Sequence, residues 1–101
     1  MKEISVLIKE PGKKAYKATI KNELQNFQSI VGGYIETFSF GKNCCLICNE
    51  EGKLRNLPFN FIFLGEVFVG NVILVGTDGE EFTDIPASYD DIKTVFKRWF
   101  D

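Results

Sequence analysis

The sequence contains no histidine, and its 101 residues include only three cysteines, three prolines and one tryptophan. Without histidine, a serine or cysteine nucleophile would need a lysine or a carboxylate as its base, and no such pair stands out in the sequence. A structural zinc site takes four nitrogen or sulfur ligands, usually as two spaced pairs, whereas Cys44, Cys45 and Cys48 form one short cluster. The sequence therefore predicts no catalytic residue, no metal site and no cofactor.

The cysteines lie in an apolar run of strand length, residues 44–48. Side chains alternate between the two faces of a strand, so Cys44 and Cys48 share one face and Cys45 lies on the other. Thiols placed in this way cannot converge on one ion. We interpret them as buried free thiols in a reducing cytoplasm.

Long apolar segments and a strong charge of either sign are also missing. The N-terminus leads into a short alternating run and has no apolar core of a signal peptide. The longest apolar stretch, residues 59–76, is interrupted by Asn60, Glu66 and Asn71, which is typical of consecutive strands and not of a membrane span. The net charge of −2 and the pI near 5.2 argue against general nucleic-acid affinity, which needs clustered lysine and arginine. We therefore expect a cytoplasmic protein that binds neither membrane nor nucleic acid.

The composition that is present is typical of one small folded domain. Hydrophobic residues make up 45% of the chain and charged residues 26%, so we assign residues 1–101 to a single compact domain. Ten phenylalanines are unusual for this length and indicate a core or an interface built on aromatic rings.

The clearest pattern lies in the central stretch, residues 31–58. Residues 33–40 alternate with period two and are rich in aromatic and β-branched side chains, which predicts a strand. A second strand over residues 44–48 follows a short connection that contains Gly41, so the two strands predict a hairpin. Residues 49–52 predict the next turn.

Turn and capping signals organise the N-terminal part of the chain. Strands over residues 3–9 and 16–20 are joined by a Pro-Gly turn and should pair antiparallel. Asn22 begins a capping box, and Gly32 has the position of the glycine that follows a helix. Apolar residues between them recur at helical spacing, which predicts a helix over residues 23–31.

The C-terminal part combines short strands with a closing helix. An apolar run over residues 59–64 has no determined form, strands are predicted over residues 66–69 and 71–75, and an Asp-Gly turn lies within residues 76–79. Ser88 opens a helix with a continuous apolar stripe. The stripe consists of Ile92, Val95, Phe96, Trp99 and Phe100.

This order of elements predicts an α+β fold. Because hairpins and not crossovers join the strands, we expect a curved, mainly antiparallel sheet of five to seven strands with two helices packed on the core. The closing helix should be docked on the sheet, since its last turn carries Trp99.

Three motifs resemble a small domain-of-unknown-function family. They are EPGKK (residues 10–14), VGGYIE (residues 31–36) and ICNEEGKLRNLPFN (residues 47–60). Members of that family are carried by bacteriophages, plasmids and other mobile elements, chiefly of Firmicutes and their gut relatives, and the likeness covers most of the chain. The family often has a polar or basic residue after its LP-x-N element, where this chain continues with Phe61. The resemblance implies no enzymatic activity, but it implies an accessory protein that works in the cytoplasm of a bacterial host.

Two further motifs resemble a phosphate-binding loop and a catalytic carboxylate pair, but the neighbouring sequence argues against both. A phosphate-binding loop needs glycines between a strand and a following helix, whereas Gly32 and Gly33 follow a helix and precede a strand. Glu50 and Glu51 resemble a catalytic carboxylate pair, but neighbours in a turn point apart and do not face each other across a substrate.

A candidate binding surface remains around the central hairpin and the loop that leaves it. It combines an aromatic ring, amides and two cations, a set suited to a small nucleotide-type ligand whose base stacks on the ring and whose phosphate meets the arginine. The predicted ligand-binding residues are Tyr34, Glu36, Asn49, Lys53, Arg55 and Asn60. In the competing interpretation, Asn49 and Asn60 bond the backbone of their own turns and Arg55 is a surface charge.

A Phe-rich cluster bears on the oligomeric state. It consists of Phe59, Phe61, Phe63, Phe68, Val69 and Leu74. If part of it is exposed, a homodimer through an edge strand or a sheet face would bury it. The partner hypothesis is therefore a homo-oligomer, with a cluster that belongs to the core alone as the alternative.

These points lead to one functional hypothesis and one alternative. We expect a non-enzymatic accessory protein that binds and sequesters a nucleotide-derived signal of host defence. The alternative is a protein–protein inhibitor that covers a host defence factor with an apolar sheet edge. An enzyme would depend on Glu50 or Cys48, and the missing acid–base groups argue against it.

Overall fold

A computed structural model describes residues 2–86, 92–94 and 96–100 of the chain. Its strands are β1 (Glu3–Lys9), β2 (Tyr16–Lys21), β3 (Ile35–Phe40), β4 (Cys44–Asn49), β5 (Phe59–Phe63), β6 (Glu66–Val69), β7 (Val72–Asp78) and β8 (Glu81–Thr83). One α-helix, α1 (Leu24–Val31), lies between β2 and β3, and a 3₁₀ helix spans Lys97–Phe100.

Six of the strands form one antiparallel sheet with β7 near its centre. Five follow the order β2-β1-β7-β4-β3, and β8 pairs with the C-terminal end of β7. The remaining two, β5 and β6, form a separate antiparallel pair. Residues 72–75 of β7 are fully buried because other layers cover both faces of the sheet, which explains their unbroken apolar sequence.

The fold has three layers, with the six-stranded sheet in the middle. On one face, α1 packs through Phe27 and Val31 onto side chains of β1, β4 and β7. On the other face, the β5–β6 pair and the C-terminal segment cover a second core that contains Phe68, Phe96 and Trp99.

The predicted α+β class and the mainly antiparallel sheet are confirmed. The main sheet has six strands, within the predicted five to seven. The apolar run of undetermined form is a strand, Phe59–Phe63, which pairs with Glu66–Val69 outside the main sheet.

The predicted end of α1 is confirmed, whereas its predicted N-cap is wrong. Gly32 ends the helix at φ 83°, a left-handed conformation that glycine adopts without strain. At the other end Glu23 is the N-cap residue and makes no side-chain cap bond. Asn22 instead donates from Nδ2 to the carbonyl of Phe82 at 2.8 Å, so a contact with β8 replaces the local cap.

The predicted closing helix falls only partly within the described residues. Ser88 and Val95 lie outside them, and the described remainder is a helical turn at 92–94 followed by the 3₁₀ helix. The backbone N–H of Ala15 donates to the carbonyl of Trp99 at 2.7 Å, which confirms that this segment is docked. Three residues of the predicted stripe are buried: Ile92, Phe96 and Trp99.

The Phe-rich cluster lies mostly inside the molecule. Phe68 and Leu74 are buried, and Phe61 and Phe63 are half-buried against the same core. The rings of Phe61 and Phe68 stack with centroids 4.9 Å apart. Phe59 is the exception, with 59% of its surface exposed. The surplus of phenylalanine therefore mainly fills the layer between the main sheet and the β5–β6 pair.

Candidate functional site

The six residues predicted to bind a ligand do not converge on one pocket. The structure distributes them among three places: the end of α1 (Tyr34, Asn49 and Arg55), a small cavity beside β3 and β6 (Glu36 and Lys53), and a groove along β5 (Asn60). Each place has its own polarity and shape, so each is suited to a different partner.

Asn49 uses its amide inside the protein. The residue is 6% exposed, and its Nδ2 donates to the carbonyl of Val31 at 3.1 Å. Its Oδ1 accepts a hydrogen bond from the backbone N–H of Glu51 at 2.8 Å. The side chain thus joins the end of α1 to the turn after β4, which is the turn role of the competing interpretation.

Arg55 and Tyr34 lie near each other at the C-terminal end of α1. Arg55 Nη1 donates to the carbonyl of Gly32 at 2.8 Å, where a cation is favourable because it offsets the negative end of the helix dipole. The ring of Tyr34 is 69% exposed and borders a shallow groove of about 530 Å³. That groove is lined by glutamine amides, a serine and Glu51, with no cation among its described lining, so it is poorly suited to an anion.

Glu36 and Lys53 line a small cavity of about 110 Å³, which we call the Cys48 cavity. Its less exposed lining residues are Phe38, Cys48, Phe68 and Val69, and its exposed ones are Glu36, Glu50, Lys53, Leu54, Glu66 and Val67. The cavity therefore has an apolar interior beneath a mainly acidic rim. Lys53 Nζ lies 3.2 Å from Glu66 Oε1, in an ion pair that is largely open to solvent.

The cysteine thiols of this region are poorly reactive because they are partly or fully buried. Burial raises the pKa of Cys48 to about 11, and the nearby carboxylate of Glu36 adds to the rise. Burial also raises the pKa of Cys44 and Cys45, so all three remain protonated at neutral pH and are poor nucleophiles. The predicted alternation is confirmed, since Cys45 packs in the core under α1 and the other two pack on the opposite face. Within the described ranges, no three Cys, Asp or Glu side chains are grouped to hold a metal ion.

Asn60 belongs to the third place, a groove of about 560 Å³ that we call the β5 groove. It runs between β5 and the 3₁₀ helix, and its volume is typical of sites for small molecules of nucleotide size. The lining residues are Lys9, Phe59, Asn60, Phe61, Ile62, Phe63, Phe96, Lys97, Arg98 and Trp99.

Lys9 and Asn60 form a fixed polar pair in the wall of the β5 groove. Asn60 Nδ2 donates to the carbonyls of Lys9 and Gly70 at 2.8 and 2.7 Å. Because both of these partners are acceptors, the amide orientation is determined, and Oδ1 faces Lys9 Nζ at 3.1 Å. Lys9 Nζ also donates to the carbonyl of Glu10 at 2.9 Å.

The charge of the β5 groove is positive and unbalanced. Lys9 is only 7% exposed, and none of the ion pairs among the described residues involves it. Burial lowers the pKa of this lysine, because no carboxylate is close enough to stabilise its charged form. Lys97 and Arg98 add two exposed cations, and the described lining includes no carboxylate.

Aromatic rings supply the apolar side of the same groove. The ring centroids of Phe61 and Trp99 are 4.8 Å apart, and those of Phe63 and Phe96 are also 4.8 Å apart. Phe59 is the exposed ring of the set. Flat aromatic surfaces beside cations are the elements that recognise a base joined to a phosphate.

The sequence identified only Asn60 of this groove and missed its cations. Lys9 and Asn60 are 51 positions apart, and only the packing of β5 against the end of β1 brings them together. One signal was available, because Lys9 shares a strand face with the buried Leu7. A lysine on a buried face is unusual and points to a special environment.

Comparisons with known proteins identify a family whose function is not known. Neither the search of curated proteins nor the search of solved structures found a match. No helix in the part of the chain that the structure describes is long and apolar enough to cross a membrane. The expected membership in a family of unknown function is confirmed by a family model that matches residues 1–99. The chain belongs to that family, the domain of unknown function DUF3846.

Proposed function

We propose that the chain is a non-enzymatic binding protein that sequesters a phosphorylated, nucleotide-derived signal in the β5 groove. The observation that carries the proposal is that Lys9, Lys97 and Arg98 share one groove with aromatic rings and with no carboxylate among its described lining. A nucleotide combines a flat base with an anionic phosphate, so it offers a partner for both features at once.

The buried ammonium of Lys9 is the strongest electrostatic support. Removing a charge from water is unfavourable unless an opposite charge compensates it. Lys9 Nζ meets only neutral acceptors, the carbonyl of Glu10 and Oδ1 of Asn60. An ammonium carries three N–H groups, so one donor remains for an oxygen of the ligand. A phosphate there would supply the missing negative charge.

The outer cations suit the rest of an anionic group. Lys97 and Arg98 are exposed and adjacent, so they can move toward a ligand that enters the groove. A guanidinium binds phosphate through two parallel hydrogen bonds, which fixes its orientation as well as its charge.

The groove favours holding a ligand over converting it. Its described lining contains no thiol, hydroxyl or carboxylate that could attack a substrate or transfer a proton. Asn60 is held in place by three hydrogen bonds and fixes Lys9 in turn. Tight binding without turnover lowers the free concentration of a signal, which is the action of a sequestering protein.

The family resemblance supplies the proposed setting. A chain carried by a bacteriophage, plasmid or other mobile element would act in the cytoplasm of the bacterial host. In that cytoplasm, nucleotide-derived messengers that activate host defence are the ligands that such a groove would bind. Removal of the messenger would weaken the defence and favour the mobile element.

Isothermal titration calorimetry tests the proposal. The chain is titrated with cyclic nucleotides, cyclic dinucleotides and cyclic ADP-ribose-type compounds, and with the matching unphosphorylated nucleosides. We expect saturable heat with at least one phosphorylated compound and much weaker binding of its nucleoside. The absence of heat with every compound would overturn the proposal.

A pair of charge reversals locates the binding. Arg98→Glu should weaken affinity by about tenfold or more, because it replaces a charge-assisted hydrogen bond with repulsion. Lys42→Glu makes the same change of charge at an exposed lysine outside the β5 groove and should have little effect. Equal effects of both variants would mean that only the net charge matters and would exclude the β5 groove.

The second candidate, a protein–protein inhibitor, is favoured by the outer face of the β5–β6 pair. Ile62 and Val67 are paired residues on that face, and Ile62 and Leu64 are strongly exposed. This function predicts that Leu64→Asp, which lies outside the lining of the β5 groove, abolishes the biological effect, whereas Arg98→Glu leaves it unchanged. The sequestration proposal predicts the opposite order.

A further inference from the structure

An exposed leucine between two cations lies beside the Cys48 cavity. Leu54 is 84% exposed, more than any other large apolar side chain that the structure describes. It lies in the turn after β4, between Lys53 and Arg55. A single exposed leucine is common on protein surfaces, so its place beside a cavity of matching size and opposite charge is what distinguishes Leu54.

The Cys48 cavity has the size of one branched aliphatic side chain. Its volume is about 110 Å³, and its interior is formed by Phe38, Cys48 and Phe68. An apolar cavity of roughly 150 Å³ accommodates benzene, so this slightly smaller space fits a leucine side chain.

The charges around the leucine and around the cavity are opposite. Leu54 is flanked by Lys53 and Arg55, whereas Glu36, Glu50 and Glu66 form the exposed rim of the cavity. The ion pair of Lys53 with Glu66 is exposed, so it is weak and can be exchanged for an equivalent pair with another molecule. Arg55 uses one N–H for the carbonyl of Gly32, and its other N–H groups remain available.

The leucine and the cavity also have the arrangement that a two-fold interface requires. Leu54 itself lines the mouth of the Cys48 cavity, so the projecting group and its complement are neighbours on one surface. An isologous dimer needs such a self-complementary patch, because a two-fold axis brings each half of the patch onto the other half in the second copy. The exposed Val67 at the same mouth extends the apolar area.

We propose that two copies of this chain form a homodimer in which Leu54 of each copy enters the Cys48 cavity of the other. Lys53 and Arg55 of each copy then face the acidic rim of the other. A contact built on one leucine and a few ion pairs is of the weak, transient class, so the dissociation constant is expected to be on the order of 10 µM. The β5 groove takes no part in this contact, and the proposal is independent of the proposed function.

Sedimentation velocity over a range of concentrations tests the dimer. The wild-type chain should be mainly dimeric at about 100 µM and monomeric well below 1 µM, as the expected affinity requires. Leu54→Ala should weaken the dimer by at least about tenfold, because both copies lose the side chain that fills the cavity. Leu24→Ala shortens another exposed leucine, on α1, and should leave the dimer unchanged.

Charge reversals test the pairing across the interface. Lys53→Glu and Glu66→Lys should each weaken the dimer, because like charges then face each other across the interface. An equimolar mixture of the two variants should associate more strongly than either alone, because residues 53 and 66 then have opposite charges across the interface and like charges within each copy. A wild-type chain that stays monomeric at the highest concentration would overturn the proposal. So would a dimer that tolerates Leu54→Ala as well as it tolerates Leu24→Ala, since its interface would then lie elsewhere or another protein would be the occupant.

Discussion

At the scale of single residues, asparagine amides join backbone segments that no strand pairing connects. Four such contacts are Asn22 with Phe82, Asn49 with Val31, Asn60 with Lys9 and Asn71 with Ile30. An amide can satisfy carbonyls at loops and helix ends, where the backbone has no regular partner. These bonds fix the layers of the fold against one another.

Gly76 is a position where a close approach of two backbones excludes any side chain. A Cβ at this residue would collide with the carbonyl oxygen of Asp84, a backbone atom that cannot turn away. Gly76→Ala should therefore lower the free energy of unfolding by about 2–4 kcal/mol, measured by urea denaturation. Gly41→Ala is the control, because a Cβ there meets no atom within 4 Å and only φ 60° is unfavourable. It should lower stability by about 1 kcal/mol, and equal losses in both variants would contradict the account.

The Cys48 thiol should make the protein less stable in alkali. Its pKa is about 11 in the folded chain and 9.0 when unperturbed, so the unfolded chain loses this proton first as the pH rises. The free energy of unfolding should fall between these two pH values, by about 1–2 kcal/mol from this group. Lys9 acts in the opposite direction, since its lowered pKa makes stability rise with pH below 10.5.

Comparison with Cys48→Ala isolates the contribution of the thiol. Both chains contain Lys9 and the other titrating groups, so the stability difference between them depends on Cys48 alone. That difference should shrink from neutral to alkaline pH in urea denaturation series. A difference that stays constant across the window would show that the thiol is not desolvated.

The sequence indicated the residue types at these positions but not their partners. Asn22 is predicted to cap α1, whereas its amide donates to the carbonyl of Phe82. Gly76 was assigned to a turn, whereas it lies in β7 beside Asp84. Phe82 is 60 positions from Asn22, and Asp84 is eight positions from Gly76. Local sequence patterns carry no information about the first contact and little about the second.

At the scale of elements, hairpins account for most of the sheet. The strands predicted over residues 3–9, 16–20, 33–40 and 44–48 are present with ends shifted by at most two residues. Their alternation and their turn residues are local, so the sequence was sufficient. The Asp-Gly turn is shifted, because β7 continues through Asp78 and the reversal falls at Gly79. The run that forms Phe59–Phe63 is undetermined in the sequence because a short, nearly continuous apolar segment fits a strand or a buried helix equally well.

The turn between β5 and β6 contains a leucine in a strained backbone conformation. Leu64 and Gly65 have φ of 50° and 78°, the combination of a two-residue hairpin turn that favours asparagine followed by glycine. Leu64 is 72% exposed, so its replacement sacrifices little burial. Leu64→Asn should therefore raise the free energy of unfolding by about 0.5–1 kcal/mol in urea denaturation.

The neighbouring position gives a control with the opposite sign. Gly65→Ala places a side chain at φ 78° with open space around it, so only backbone strain changes. It should lower stability by about 1 kcal/mol. If Leu64→Asn were neutral or destabilising, the turn would not have the conformation described.

At the scale of the whole molecule, the β5 groove exists only because three distant segments meet. Lys9 comes from β1, Asn60 from β5, and Lys97 and Arg98 from the 3₁₀ helix near the C-terminus. The predicted site for a nucleotide-type ligand lies around the central hairpin. In the structure, however, Asn49 and Arg55 of that region donate hydrogen bonds to backbone carbonyls. The chemistry of the groove could not be predicted, because it depends on how the β5–β6 pair lies over the main sheet and not on any local pattern.

The β5 groove carries its own reporter, since Trp99 lines it and is the only tryptophan in the sequence. Tryptophan fluorescence recorded during titration with the phosphorylated ligand that gives the largest heat therefore reports directly on binding in this groove. Binding there predicts a saturable change in emission with the same stoichiometry as the calorimetric binding, a change that Arg98→Glu abolishes and Lys42→Glu retains. Calorimetric binding that leaves the emission of Trp99 unchanged would mean that the ligand does not enter the β5 groove.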